Sequence, residues 1–241
     1  MGETHLEVLA SKLKSKFGVD VFLRLPKVAY RETIKGKADV QGKHKKQSGG
    51  HGQYGDVKIK FEPRLDGVEE LEFIDAVVGG TVPKNFIPAV EKGLKECTKH
   101  GVLARYPVIG LKATLYDGSY HSVDSSEMAF KIATSIAYKK GLEQANPVLL
   151  EPIMEFVVRI PDEYMGEVIG DINKKRGRIL RIEPKENMQV ITAEIPQVES
   201  FKYATDLRSI TQARGSFNMK FKRYAEVPSN ELNKIIKNNN L

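Results

Sequence analysis

The sequence predicts two α+β domains in tandem, and three observations carry that expectation. Period-two alternation and helical periodicity interleave along the chain instead of falling into separate blocks. Asn146-Pro147 interrupts the pattern with a turn signal. Residues 148–227 then read strand, helix, strand, strand, helix, strand, the order of a split βαβ unit, for which ~80 residues suffice. At 241 residues the chain is long enough for two medium domains, each with its own core.

The elements are expected in the following order. Leu6, Leu9, Leu13 and Phe17 recur at spacings of three and four, an amphipathic helix with Gly18 as its C-cap. Val19–Leu25 reads as a strand stopped by Pro26. One helix and one strand make no domain, so residues 1–26 read as the trailing edge of another module. The first full domain is placed at 27–147. It opens with an alternating run from Ala29 to Val40, a glycine-rich tip, and a second run at Val57–Phe61, which together read as a long hairpin. A strand over Glu70–Val78 and a helix over Lys84–Lys99 follow, the helix with a stripe of Phe86, Val90, Leu94 and Cys97. Val108–Tyr116 reads as a strand ended by Asp117-Gly118, and Asp124 with Glu127 as the capping box of a buried helix closed by Gly141. In 148–227 the strands are Met154–Ile160, Arg178–Glu183, Gln189–Ile195 and Gly215–Tyr224. The helices there start after Pro161 and at Ser200, the latter residue as a cap. Residues 228–241 read as a short helical tail.

Composition narrows the function classes. An apolar fraction of 41% is ordinary for a folded chain, while a net charge of +7 and a pI near 9.2 favour an anionic partner. Cys97 is the only cysteine, which excludes an intrachain disulfide and fits a reducing, cytoplasmic compartment. No apolar run approaches the ~20 residues of a membrane span, so no membrane partner is expected. His5, His44, His51, His100 and His121 show no ligand spacing, so no metal is expected.

Three stretches stand out chemically. In the first, Lys43, His44, Lys45, Lys46 and Gln47 lead into Ser48, Gly49, Gly50, His51, Gly52, Gln53, Tyr54 and Gly55. Gly50, Gly52 and Gly55 fit a dinucleotide-binding spacing, but no buried strand precedes them and no helix follows. Crowded lysines and a glycine-rich backbone suit an anionic partner better, a solvated loop being the bland alternative. In the second, Asp117, Gly118, Ser119, Tyr120, His121 and Asp124 join a strand end to a helix start. His121, Asp124 and Ser125 are the residue types of a hydrolytic triad, yet residues this close in sequence rarely give its geometry, so a partner-contacting loop is preferred over catalysis or simple capping. In the third, Lys174, Lys175, Arg176 and Arg178 form a basic helix end beside an incomplete echo of a GxxG RNA clamp. Stabilisation of that helix end and contact with RNA phosphate both stay open.

HKKQSGGHGQYGDV (His44–Val57), GGTVPKNFIPAVEKG (Gly79–Gly93) and LYDGSYHSVDSSEMAFKIA (Leu115–Ala133) resemble domain IV of bacterial elongation factor G. NPVLLEPIM (Asn146–Met154), YMGEVIGDINKKRGRI (Tyr164–Ile179) and ATDLRSITQARGSFNMKF (Ala204–Phe221) resemble its domain V, and Gly2–Val21 resembles the end of its domain III. The resemblance implies a ribosomal-protein-S5-domain-2-like domain followed by a ferredoxin-like βαββαβ domain. It further implies a monomeric translocation factor in which the first domain is a non-catalytic lever reaching the decoding site. The implied partners are rRNA and the tRNA–mRNA duplex, contacted at the tip by both loops with His121 as the family's tip histidine, and at rRNA phosphate by the basic helix end. GTP and Mg²⁺ are implied for the full-length factor, whereas this sequence carries no P-loop and no cofactor of its own is expected. Gly42–Gln47 and Gly101–Ala104 also resemble the second, paralogous elongation factor G of some bacteria. Ribosomal protection, ribosome recycling and a free-standing RNA-binding adaptor are the competing roles.

Overall fold

The computed structural model describes residues 3–47, 52–64 and 66–239, which form two compact units, Tyr30–Leu150 with Glu226–Leu241, and Met1–Ala29 with Glu151–Ala225. Both mix helices and sheet, so the fold is α+β.

In the first unit, β2 (Ala38–Lys46) and β3 (Gln53–Pro63) pair as a long antiparallel hairpin, in register from Ala38 opposite Phe61 to Lys46 opposite Gln53. Beyond β3 lie β5 (Leu111–Ser119), antiparallel to it, and β4 (Glu72–Asp75), parallel to β5, giving the order β2-β3-β5-β4. The short β1 (Arg31–Ile34) pairs instead with the first four residues of β6 (Pro147–Pro161). The hairpin strands follow from alternation: Val57, Ile59 and Phe61 are fully buried, and Leu111, Ala113 and Leu115 join them from β5. This apolar face is covered by α2 (Ile87–Cys97), through Val90 and Leu94, and by α3 (Glu127–Gln144), through Phe130, Ala133 and Ala137. Phe86 stacks on Phe130 with ring centroids 4.8 Å apart.

Helix α3 lies unusually close to the hairpin because two of its strand residues are glycine. A Cβ at Gly42 would stand 2.1 Å from the carbonyl oxygen of Ala133, and one at Gly55 would stand 2.5 Å from that of Ala129. Gly55 is therefore buried packing, a correction to the expectation that places it in an exposed glycine-rich tip. The hairpin ladder likewise runs through Lys43, Lys45 and Lys46, so these lysines stand on a strand.

The second unit contains the split βαβ order in three dimensions. From Ile153 onward β6 pairs antiparallel with β8 (Met188–Pro196), β8 with β7 (Arg178–Lys185), and β9 (Ser216–Glu226) pairs with β6. The helices are α4 (Met165–Lys174), the short α5 (Gln197–Ser200) and α6 (Tyr203–Ile210). Phe156, Val158 and Ile160 pack with Val168, Ile172, Tyr203 and Leu207, and Phe156 meets Tyr203 edge-on at 4.9 Å. The terminal helix α7 spans Ser229–Asn239.

Several local expectations change. Helix α1 (Glu3–Phe17) does end at Gly18, whose φ of +64° and N–H bond to the Lys14 carbonyl (3.0 Å) make a glycine C-cap. Val19–Leu25, expected as a strand, has no ladder partner among the described residues, and Phe22 is 88% exposed. Without a neighbour to take its N–H and C=O groups, an alternating run does not become a strand. Asp117-Gly118 do not end β5 but lie inside it, because β3 continues opposite them. Ser126, not Asp124, caps α3, its Oγ accepting the Ala129 N–H at 3.2 Å. Ser200 caps nothing: its hydroxyl donates to the Gln197 carbonyl at 2.7 Å, and α6 starts after Lys202. Gly141 lies within α3, which runs on to Gln144.

Candidate nucleic-acid interface

The hairpin end and the segment after β5 are brought together, although Tyr54 and Ser125 stand 71 residues apart in sequence. These two residues form a parallel bridge: the Tyr54 N–H donates to the Asp124 carbonyl at 2.8 Å, and the Ser125 hydroxyl donates to the Tyr54 carbonyl at 3.0 Å. The Asp124 side chain reaches the other way, its Oδ1 accepting the Gly52 N–H at 3.0 Å. Asp124 thus uses both backbone and carboxylate to fasten the start of β3.

His121 stands on the same clasp. Its N–H donates to Ser125 Oγ at 2.9 Å, its carbonyl accepts the Ser125 N–H at 3.1 Å, and its Nδ1 accepts the Asp124 N–H at 3.2 Å. Asp124 Oδ2 stands 3.4 Å from the same Nδ1, so this nitrogen faces both the backbone and the carboxylate of Asp124, and no described residue engages Nε2. The ring lies 6.4 Å from that of Tyr54, centroid to centroid, and its side chain is half exposed. A cleft of about 180 Å³ opens between the segments, lined by Lys45, Lys46, Gln47, Gln53, Tyr54, His121 and Asp124.

Beneath the clasp a polar network holds the strands in register. Asp56, buried to 5% exposure, accepts from Gln41 Nε2 at 2.7 Å and from the Ser119 hydroxyl at 2.6 Å, and Ser119 Oγ is also 2.7 Å from the Tyr54 hydroxyl. A buried carboxylate with one acceptor bond on each oxygen is well satisfied. Lys58 donates to Asp117 at 2.9 Å; that bond pushes the Lys58 ammonium above its usual range and draws the Asp117 carboxyl below its own. Lys43 lies over the Tyr54 ring at 5.5 Å, a cation–π distance. Among the described residues no carboxylate pairs with Lys43, Lys45 or Lys46.

Apart from the buried Gly55, the residues predicted at the two tip stretches fall into three groups. Lys43, Lys45, Lys46, Gly52, Gln53, Tyr54, Ser119, His121 and Asp124 converge on the tip. Asp117 and Gly118 lie within β5, Asp117 already taken by Lys58, and Tyr120 is exposed beside them. Ser48, Gly49, Gly50 and His51 lie outside the described residues. Sequence reasoning misses Gln41, Asp56 and Lys58. Their only signal is a polar residue on each off-beat of an apolar alternation, common to any half-exposed strand.

The basic end of α4 is divided. Lys175 bonds Asp171 and Asp206, both at 2.8 Å; burial pulls its ammonium down, but the two carboxylates outweigh that and hold it above its usual range. Arg176, itself in the left-handed region at φ +56°, forks onto Glu151 at 2.7 and 3.0 Å and reaches Glu199 at 3.2 Å. Its charge is matched within the unit. Lys174 and Arg178 are exposed, and no described carboxylate pairs with either. Among the described residues no group of three or more His, Cys, Asp or Glu side chains could hold a metal ion, and no helix is long and apolar enough to cross a membrane.

Comparison with known proteins matches both parts of the chain. The family model described as "Elongation factor G, domain IV" matches residues 26–146, and "Elongation factor G C-terminus" matches residues 148–235. A crystal structure from Thermus thermophilus superposes with a TM-score of 0.88 at 45% sequence identity, covering 99% of this chain and 36% of that one. The chain thus spans about a third of the length of that relative. With both of its globular parts accounted for by consecutive models of one family, the chain belongs to the elongation factor G family.

Proposed function

We propose that this chain is the lever part of a factor that promotes GTP-dependent translocation of tRNA and mRNA on the ribosome, its tip meeting the tRNA–mRNA duplex and rRNA in the cytoplasm. The observation that carries the reading is the clasp at Tyr54, His121 and Asp124. It presents one imidazole Nε2, one half-buried tyrosine and three lysines without described carboxylate partners on a single hairpin end.

Such an arrangement suits recognition and not bond making. Lysine ammonium groups neutralise phosphate, the imidazole offers one hydrogen bond, and small residues let backbone approach RNA closely. The geometry argues against the hydrolytic reading of His121, Asp124 and Ser125, although Asp124 Oδ2 stands 3.4 Å from His121 Nδ1. Ser125 Oγ is 3.0 Å from the Tyr54 carbonyl, to which it donates, and it meets the backbone N–H of His121 and not the ring. A nucleophile must have its proton taken by the base, and this one gives it to a carbonyl.

The chain itself is then non-catalytic and needs no cofactor; GTP and Mg²⁺ belong to other parts of the longer protein. Binding energy at the tip biases a ribosomal motion that already occurs. In the C-terminal unit, Lys174 and Arg178 are the phosphate contacts, while Lys175 and Arg176 support the helix end. His121→Ala in the full-length factor is expected to slow single-turnover translocation with GTP hydrolysis nearly unchanged. An unchanged translocation rate would remove His121 from the mechanism.

A further inference from the structure

A second cavity lies away from the tip. It is a groove of about 700 Å³ in the Tyr30–Leu150 unit, between α2, α3 and the loop at 100–106. Its floor is apolar, formed by Val102, Ile132 and Met128, the last 62% exposed. Its rim carries the exposed cations Arg105 and Lys139 beside an exposed His100, and the one lining carboxylate, Glu96, already faces Lys131 at 3.4 Å.

The loop that forms one wall is held from behind. Glu32 is buried, and its carboxylate accepts the N–H groups of Leu103 (2.9 Å), Ala104 (2.9 Å) and Tyr106 (3.1 Å). Three amide donors on one carboxylate fix the backbone around residue 105. Arg105 sits there at φ +59°, a conformation that glycine adopts without the steric conflict a Cβ brings. The strain brings no internal return, because no described residue pairs with the Arg105 guanidinium. Strained backbone that a rigid frame enforces is characteristic of contact sites.

We propose that this groove docks an acidic amphipathic peptide segment of a partner protein, its apolar side chains on Met128, Ile132 and Val102 and its carboxylates on Arg105 and Lys139. Charge complementarity selects the occupant. Arginine and methionine are the side chains that protein interfaces favour, methionine because it adapts to its partner's shape. A nucleic-acid strand fits less well. Tyr138 in the lining is buried and donates its hydroxyl to the His100 carbonyl at 3.3 Å, so the imidazole of His100 is the one exposed lining ring on which a base could stack.

Cys97 lines the groove and is the only cysteine of the chain, so its alkylation by a small maleimide reports occupancy directly. The probe is a fluorescein-labelled amphipathic helical peptide with leucines on one face flanked by glutamates, beside a version with lysines for glutamates and a short oligouridine. The glutamate peptide is expected to bind by anisotropy and slow Cys97 alkylation, while the lysine peptide does neither. Arg105→Gly should leave the unfolding midpoint unchanged or higher, as the strain is relieved, yet weaken the glutamate peptide about tenfold. Lys139→Glu should weaken it similarly. Unchanged affinity in both variants, binding without protection of Cys97, or stronger protection by oligouridine than by the peptide would each overturn the proposal.

Discussion

The tip of the hairpin and the end of α4 are both basic in sequence, and the structure uses their charges in opposite ways. At the tip, Lys43, Lys45 and Lys46 stand on a strand end and form no ion pair with a described carboxylate, while the nearby Asp56 and Asp124 accept from Gln41, Ser119 and the Gly52 backbone. At the end of α4, Lys175 and Arg176 are consumed by Asp171, Asp206, Glu151 and Glu199. A cation count therefore does not mark a binding surface. What distinguishes the two regions is where the acids lie.

Removing an inward charge should separate the two regions most strongly. Arg176→Ala leaves Glu151, only 3% exposed, as a buried carboxylate without its forked partner. The expected loss is about 3–5 kcal/mol, read as lower protection in hydrogen exchange across the Glu151–Ala225 unit. A loss below about 1 kcal/mol would mean that the pair is surface decoration like the tip lysines. Next in size is Gly55→Ala. The new methyl meets the backbone of Ala129, so overpacking should cost about 1–3 kcal/mol in thermal unfolding of the other unit. Asp124→Ala should cost about 1 kcal/mol and speed exchange of the Gly52 amide, whereas Asp124→Asn keeps an acceptor oxygen and loses less. Equal effects of the two would show that charge, and not the hydrogen bond, holds the clasp.

Acid should also tell paired lysines from unpaired ones. Lys220 and Lys222 hold the Glu155 carboxyl down to about 2, against an ordinary value near 4.5. A depressed carboxyl stabilises the fold above its unfolded pKa, and that contribution is lost as pH falls through the interval from about 4.5 to about 2. Lys220→Ala should raise the lower edge of that window in acid unfolding. The tip, whose lysines form no ion pair with a described carboxylate, should show no such change on loss of Lys43.

The periodic parts of this architecture are legible in the sequence. Alternation at Val57, Ile59 and Phe61 and the helical stripe of Val90 and Leu94 point to the sheet and its covering helices, because burial on one face imposes those periods. Alternation at Val19–Leu25 points to a false strand, because ladder partners are not encoded locally. The two tip segments stand out as stretches that packing does not explain, but their fastening does not. Asp124 looks locally like a helix cap, and only the fold shows it reaching Gly52 across 72 positions. The same blindness to distance makes Lys175 and Arg176 look like phosphate contacts, since Glu151 lies 25 residues from Arg176 and Asp206 is more remote still from Lys175 in sequence. Gly55, which looks like loop freedom, is glycine because α3 passes over it.

If the tip meets RNA through lysines that do nothing for the fold, binding to intact bacterial ribosomes over a salt series should reveal it. The proteins to compare are the native chain and the triple variant Lys43→Ala, Lys45→Ala, Lys46→Ala. The variant should unfold within about 0.5 kcal/mol of the native chain. The slope of log affinity against log salt should become shallower by about 2 to 3. An unchanged slope, with the fold intact, would refute the RNA-binding tip and leave these lysines as a solvated strand end.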